Sequence, residues 1–86
     1  YYTKTGVFSI SKPINGEPAC NGNGSTIGLA ASNTESVDRW YATGLANGGV
    51  SCEDPPGVRV GAKGDLYLAY LRDPFDNKIC ALHRVE

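Results

Sequence analysis

The segment from residue 65 to residue 84 constrains the fold most. Asp65 to Arg72 (DLYLAYLR) and Lys78 to Arg84 (KICALHR) both alternate, and Asp73 to Asn77 (DPFDN) separates them. Successive strand side chains point to opposite faces. Leu66, Leu68, Tyr70 and Arg72 therefore share one face, and Tyr67, Ala69 and Leu71 share the other. In the connection, Pro74 presets φ while Asp73 and Asn77 can bond nearby backbone, which is turn chemistry. Two such segments so close together pair as antiparallel strands. A lone hairpin is marginal in water, so the rest of the chain must supply a further layer.

The region upstream supplies it. Ser32 to Glu35 fits a capping box, with the Ser32 hydroxyl facing the Glu35 amide. Val37, Trp40, Tyr41 and Leu45 follow at helical spacing, and Gly44 falls on the same face, where it permits close approach to a sheet. Gly48-Gly49 is a left-handed stop. Before the helix, Ser25 to Ala31 reads as a strand with Ile27 and Leu29 on one face. Thr5 to Ser11 reads as another, and the Pro- and Asn-Gly-rich stretch 12–24 as loop. After the helix, Val50 to Cys52 reads as a short strand and Glu53 to Gly64 (EDPPGVRVGAKG) as an irregular connector. Strands that do not alternate regularly with helices indicate an α+β fold. The helix is expected to cover one face of a mostly antiparallel sheet and to leave the other for a ligand or a partner.

At 86 residues the chain is expected to form a single small domain. Its net charge of −1 gives no electrostatic reason to bind nucleic acid or an anionic membrane. No apolar run approaches the ~20 residues needed to span a bilayer. Three cysteines, Cys20, Cys52 and Cys80, are a poor disulfide framework and read as reduced thiols, which points to the cytoplasm. The sequence contains no methionine, so it reads as a processed product or a piece of a longer chain.

Candidate chemistry is sparse. Cys80-x-x-His83 has the look of a zinc pair, but residues three apart on a strand face opposite ways. The same geometry separates Cys80 from His83 as a nucleophile and base. The stretch Asn21 to Gly24 has no lysine in a phosphate-loop position and precedes a strand. Arg59 lies in the connector, where a cation can grip an anionic ligand or simply be solvated. Of Tyr67 and Tyr70, one packs under the helix and the other lines the open face, where a tyrosine is either a ligand contact or an interface residue.

Three segments together carry a family resemblance: VDRWYATGLANGG (37–49), DPPGVR (54–59) and LAYLRDPFDNKICALH (68–83). The chain resembles the vicinal oxygen chelate superfamily, which contains glyoxalases, bleomycin-resistance proteins, extradiol dioxygenases and fosfomycin-resistance proteins. The pattern Tyr70-x-x-Asp73-Pro74-x-x-Asn77-Lys78-Ile79 is its most specific part. The resemblance implies βαβββ modules that pair into an incomplete barrel around a pocket, with the helix outside. By that match, residues 5–24 are the end of a first module and its linker, and residues 25–86 are the second module. Either a longer chain, or a homodimer or strand-exchanged assembly, is expected to complete the barrel.

By the same match, Leu68, Tyr70, Cys80 and Leu82 face the pocket, with Thr26 beside them. Metal-binding members of the superfamily use a His where this chain has Thr26 and a Glu where it has Cys80. The resemblance thus implies a pocket for a small organic molecule, with no cofactor expected, and a sequestering protein rather than an enzyme. Two alternatives follow from the same family. One is a divalent-metal-dependent lyase or dioxygenase in which Cys80 serves as a ligand. The other is an interaction module whose sheet face is filled by a partner subunit.

Overall fold

A computed structural model describes residues 5–85 of the chain. Its elements run β1 (Ile27–Ala30), α1 (Thr34–Ala46), β2 (Val50–Arg59), β3 (Asp65–Arg72) and β4 (Lys78–Val85). The four strands form one sheet in the order β1-β4-β3-β2. The β2–β3 and β3–β4 pairs are antiparallel, and β1 runs parallel to β4. With one helix on an unclosed four-stranded sheet, the fold is an α+β βαβββ module.

The β3–β4 hairpin forms as its alternation predicts, with eight registered pairs from Asp65↔Val85 to Arg72↔Lys78. Asp73 closes it. One oxygen of its carboxylate accepts from the Phe75 and Asn77 amides, each at 2.9 Å, and the other from Asn77 Nδ2 at 3.0 Å. The main chain adds Asp76 N to Asp73 O at 2.8 Å and Asp73 N to Asn77 O at 3.0 Å. Burial alone would raise the Asp73 carboxyl, but the bonds from Asn77 and Phe75 outweigh it and hold the group below its ordinary value.

Helix α1 starts one residue later than the capping box predicts. Asn33 is the N-cap, and its Oδ1 accepts from Ser36 N at 2.8 Å. Asn caps as well as Ser, so Ser32 is not needed there. The stop forms as expected: Gly48 has φ +96, and Gly49 N reaches back to Gly44 O at 2.8 Å, closing a Schellman turn.

The packed stripe of the helix is Val37, Trp40, Tyr41 and Gly44. Leu45, expected to pack, is 41% exposed. Val37, Ala69 and Ala81 form the core, with Ala31, Trp40, Tyr41 and Tyr67 around it. Two hydrogen bonds tie the layers at the periphery: Tyr67 OH donates to Asp38 Oδ1 at 2.7 Å, and Tyr41 OH pairs with Ser51 Oγ at 2.6 Å. Tyr67 is thus the tyrosine under the helix, and its hydroxyl is held above the usual phenol range by its bond to Asp38. Gly44 sits directly on Leu71: a Cβ there would lie 2.2 Å from Leu71 Cδ1.

Two expectations are corrected. The segment 53–64 is not all connector, because β2 continues to Arg59 through an irregularity between Cys52 and Gly57. Glu53 there takes φ 61. Pro55 and Pro56, which argue against a strand, are tolerated because β2 is an edge strand and the bulge takes them out of the ladder. The strand expected over 5–11 does not form, and the segment contributes only an isolated bridge at Val7. Val7 and Ile10 are exposed and Phe8 is half-buried, so its alternation does not lay a continuous apolar face on the four-stranded sheet.

Two outcomes are expected. Gly44→Val should cost ~1–3 kcal/mol through collision with the buried Leu71, read as a lower chemical-denaturation midpoint. Asp73 carries a depressed folded-state pKa, so its contribution is present above the ordinary carboxyl range and lost as pH falls through the folded value. Asp73→Ala should therefore cost ~1–3 kcal/mol near neutral pH. The gap to wild type should close in acid, as measured by denaturation at a series of pH values.

Candidate functional site

The helix covers the face carrying Tyr67, Ala69, Leu71 and Ala81, so the opposite face is open. Strand register arranges it in rows. One row is Cys52–Tyr70–Cys80–Gly28, and the next is Gly57–Leu68–Leu82–Ala30. The structure therefore brings four of the six sequence-derived candidates, Leu68, Tyr70, Cys80 and Leu82, into two adjacent cross-strand pairs. Leu68 is 5% exposed and Cys80 4%, while Tyr70 and Leu82 are half-buried. Gly28 packs closely beside them, since a Cβ there would lie 3.2 Å from Leu82 Cδ2 and 3.6 Å from Cys80 Sγ.

The other two candidates lie at the margins. Thr26 directly precedes β1 and is exposed. Arg59 is in β2 rather than in a loop, on the open face, paired with Leu66. Its Nη2 donates to the Asp54 and Pro55 carbonyls at 3.0 and 3.1 Å, so it braces the bulge.

Sequence reading did not single out three more residues at this face. Lys78 Nζ lies 4.5 Å from the centroid of the Tyr70 ring and forms an ion pair with Glu53. The hydrogen bond to Glu53 holds the Lys78 ammonium above its usual range. Lys78 was legible from parity, being two residues before Cys80. Glu53 was not, because the bulge that aims it is concealed in a run resembling a loop. Cys52 flanks Tyr70 opposite Cys80. The two cysteines are two strand spacings apart, ~9.6 Å, beyond the ~7 Å limit for a disulfide between Cα atoms. All three cysteines are free.

Cys80 bears on the metal question. Burial pushes its thiol above the usual range, against an opposing hydrogen bond from the Leu29 backbone. A metal ligand must be the thiolate, and this environment favours the protonated form. Among the described residues, no group of three or more His, Cys, Asp or Glu side chains comes together. Thr26 offers only a weakly donating hydroxyl. The donors among the described residues of this chain do not by themselves make up a divalent-metal centre.

His83, on the helix side of β4, places Nδ1 3.1 Å from Ala31 O. It stands on the face opposite Cys80, as their spacing predicts. An open cleft of about 560 Å³ lies along the β1–β4 end, lined by Ala30, Ala31, Leu82, His83 and Arg84. Another, of about 590 Å³, opens near Cys52, Arg72 and Asp76. Among the described residues, no helix is long and apolar enough to cross a membrane.

A module of this shape with an open, apolar sheet face has a close structural counterpart. The crystal structure of a glyoxalase/bleomycin resistance protein from Albidiferax ferrireducens T118 matches with a TM-score of 0.95 and 62% sequence identity, over 98% of this chain and 68% of that one. The chain belongs to the glyoxalase/bleomycin resistance protein family, within the vicinal oxygen chelate superfamily. No family model matches the sequence, and no curated protein does.

Thiol labelling checks the site geometry. Under native conditions iodoacetamide should modify Cys20 and Cys52 and leave Cys80 unmodified until the protein is denatured, as read by peptide mass. Equal labelling of all three would contradict the burial of Cys80.

Proposed function

We propose that this protein binds a small organic molecule on the open face of its sheet and does so without a divalent metal, as a sequestering protein rather than an enzyme. The observation that carries this reading is the pairing of Leu68 with Leu82 and Tyr70 with Cys80 on one face. Apolar walls with few polar groups suit a modest organic ligand. A protonated, buried thiol stands where the superfamily's metal-binding members place a carboxylate, and the exposed Thr26 where they place an imidazole. Without an ion to polarise a carbonyl or activate water, these residues offer shape and apolar contact, not a reaction step. The ion pair of Lys78 with Glu53 closes one end of the face over Tyr70, which favours a ligand seated along β3 and β4. Dimerisation and a cytoplasmic location belong to the same proposal.

Two measurements test it together. Elemental analysis of purified protein should find no stoichiometric Ni, Fe, Zn or Mn, and a thermal-shift screen of apolar organic compounds should raise Tm after chelator treatment. One tightly bound metal per site, or stabilisation that needs added metal, would overturn the reading.

A further inference from the structure

The open face has cations at both ends, and the two ends differ. Beyond the Tyr70 row comes the row Val50–Arg72–Lys78, and beyond the Leu68 row comes Arg59–Leu66–Arg84. In the first, each cation has a carboxylate: Arg72 Nε lies 3.7 Å from Asp76 Oδ1, and Lys78 pairs with Glu53. In the second, both guanidinium groups bond only backbone carbonyls among the described residues. Arg59 donates to Asp54 O and Pro55 O, and Arg84 Nη1 donates to Lys63 O at 3.0 Å. One end of the face thus pairs its cations with its own acids, and at the other neither arginine has a carboxylate within ion-pair distance among the described residues.

Those two charges adjoin the apolar rows. Arg59 lies over Gly57, whose added Cβ would come 3.4 Å from Arg59 Nη1, so the side chain leans toward the Leu68 row. Arg84 lines the 560 Å³ cleft at the β1–β4 end with Ala30, Ala31, Leu82 and His83, and its Nη1 reaches the β2–β3 loop at Lys63. Carbonyl bonds hold each guanidinium in place while leaving its charge uncompensated and further N–H donors free. A planar fork of this kind is suited to a carboxylate. From the Leu66 row to the Tyr70 row, β3 advances ~14 Å at ~3.4 Å per residue.

We propose that Arg59 and Arg84 form an anion-binding end to the open face, so that the ligand is an amphipathic carboxylate whose apolar body lies over Leu68 and Leu82 toward Tyr70. This rests on the reading that the open face binds a small organic molecule. An extended octanoate fits the span from the arginine row toward Tyr70. A ligand with a cationic head would meet repulsion at that end, and a neutral one would leave the two charges unanswered.

Calorimetric titration of the wild-type protein with octanoate, octanol and octylamine tests this, alongside Arg59→Gln/Arg84→Gln and Arg59→Lys/Arg84→Lys, with circular dichroism to confirm folding. Octanoate should bind about tenfold or more tighter than octanol and lose affinity as salt rises, because charges that solvent reaches are screened by salt. The glutamine variant should lose that advantage while binding octanol unchanged, and the lysine variant should keep most of it. Equal, salt-independent binding of octanoate and octanol would overturn the anion end while leaving the open-face reading intact. The same holds if the folded glutamine variant binds octanoate as wild type does. Binding of none of the three would overturn both. Should the glutamine variant fail to fold, the wild-type ratio and its salt dependence still decide.

Discussion

The carboxylate of Asp73 has more resting on it than any other single group. By accepting from Phe75, Asn77 and the Asn77 side chain, it sets the turn and with it the pairing Arg72↔Lys78. A slip of one residue in that register would move every side chain of a strand to the other face. With β3 held under the helix, Cys80 and Leu82 would then meet the helix, and Ala81 would meet the open face. The division between packed and open faces thus follows from one hydrogen-bonded turn. The helix reinforces the choice, because only Gly44 lets it rest on Leu71 so closely.

Much of this was legible in the sequence because it is local. The hairpin carries its own alternation and turn residues, and β3 forms over the residues its pattern predicts. Parity also separated Cys80 from His83 and grouped Leu68 with Tyr70. The helix was legible too, although Asn33 rather than Ser32 caps it, since two adjacent residues both make good caps. Long-range partnership was not legible. Pro55 and Pro56 hid the continuation of β2, because nothing local says that this strand lies at a sheet edge with a bulge to absorb them. Thr5 to Ser11 alternates like a strand, yet among the described residues it forms no ladder beyond the bridge at Val7. The charge pairing was equally hidden, for Glu53 meets Lys78 across 25 positions of sequence.

Cys80 links fold to function. It occupies a pocket-facing position in the family, but its surroundings are those of a core thiol, buried, protonated and next to Gly28 and Leu82. The same pleat that aims it at the open face also buries it, which pushes its thiol above the ordinary range. On the proposed reading, this face offers shape and apolar contact in the middle and charge at the ends.

The central claim is that the open face, without metal, is where the ligand sits. Leucine-methyl NMR of chelator-treated protein titrated with octanoate tests it most directly. The Leu68 and Leu82 methyl resonances should move together with ligand, while that of Leu71, under the helix, stays in place. Movement of Leu71 with Leu68 and Leu82 fixed, or shifts that appear only after divalent metal is restored, would contradict the account.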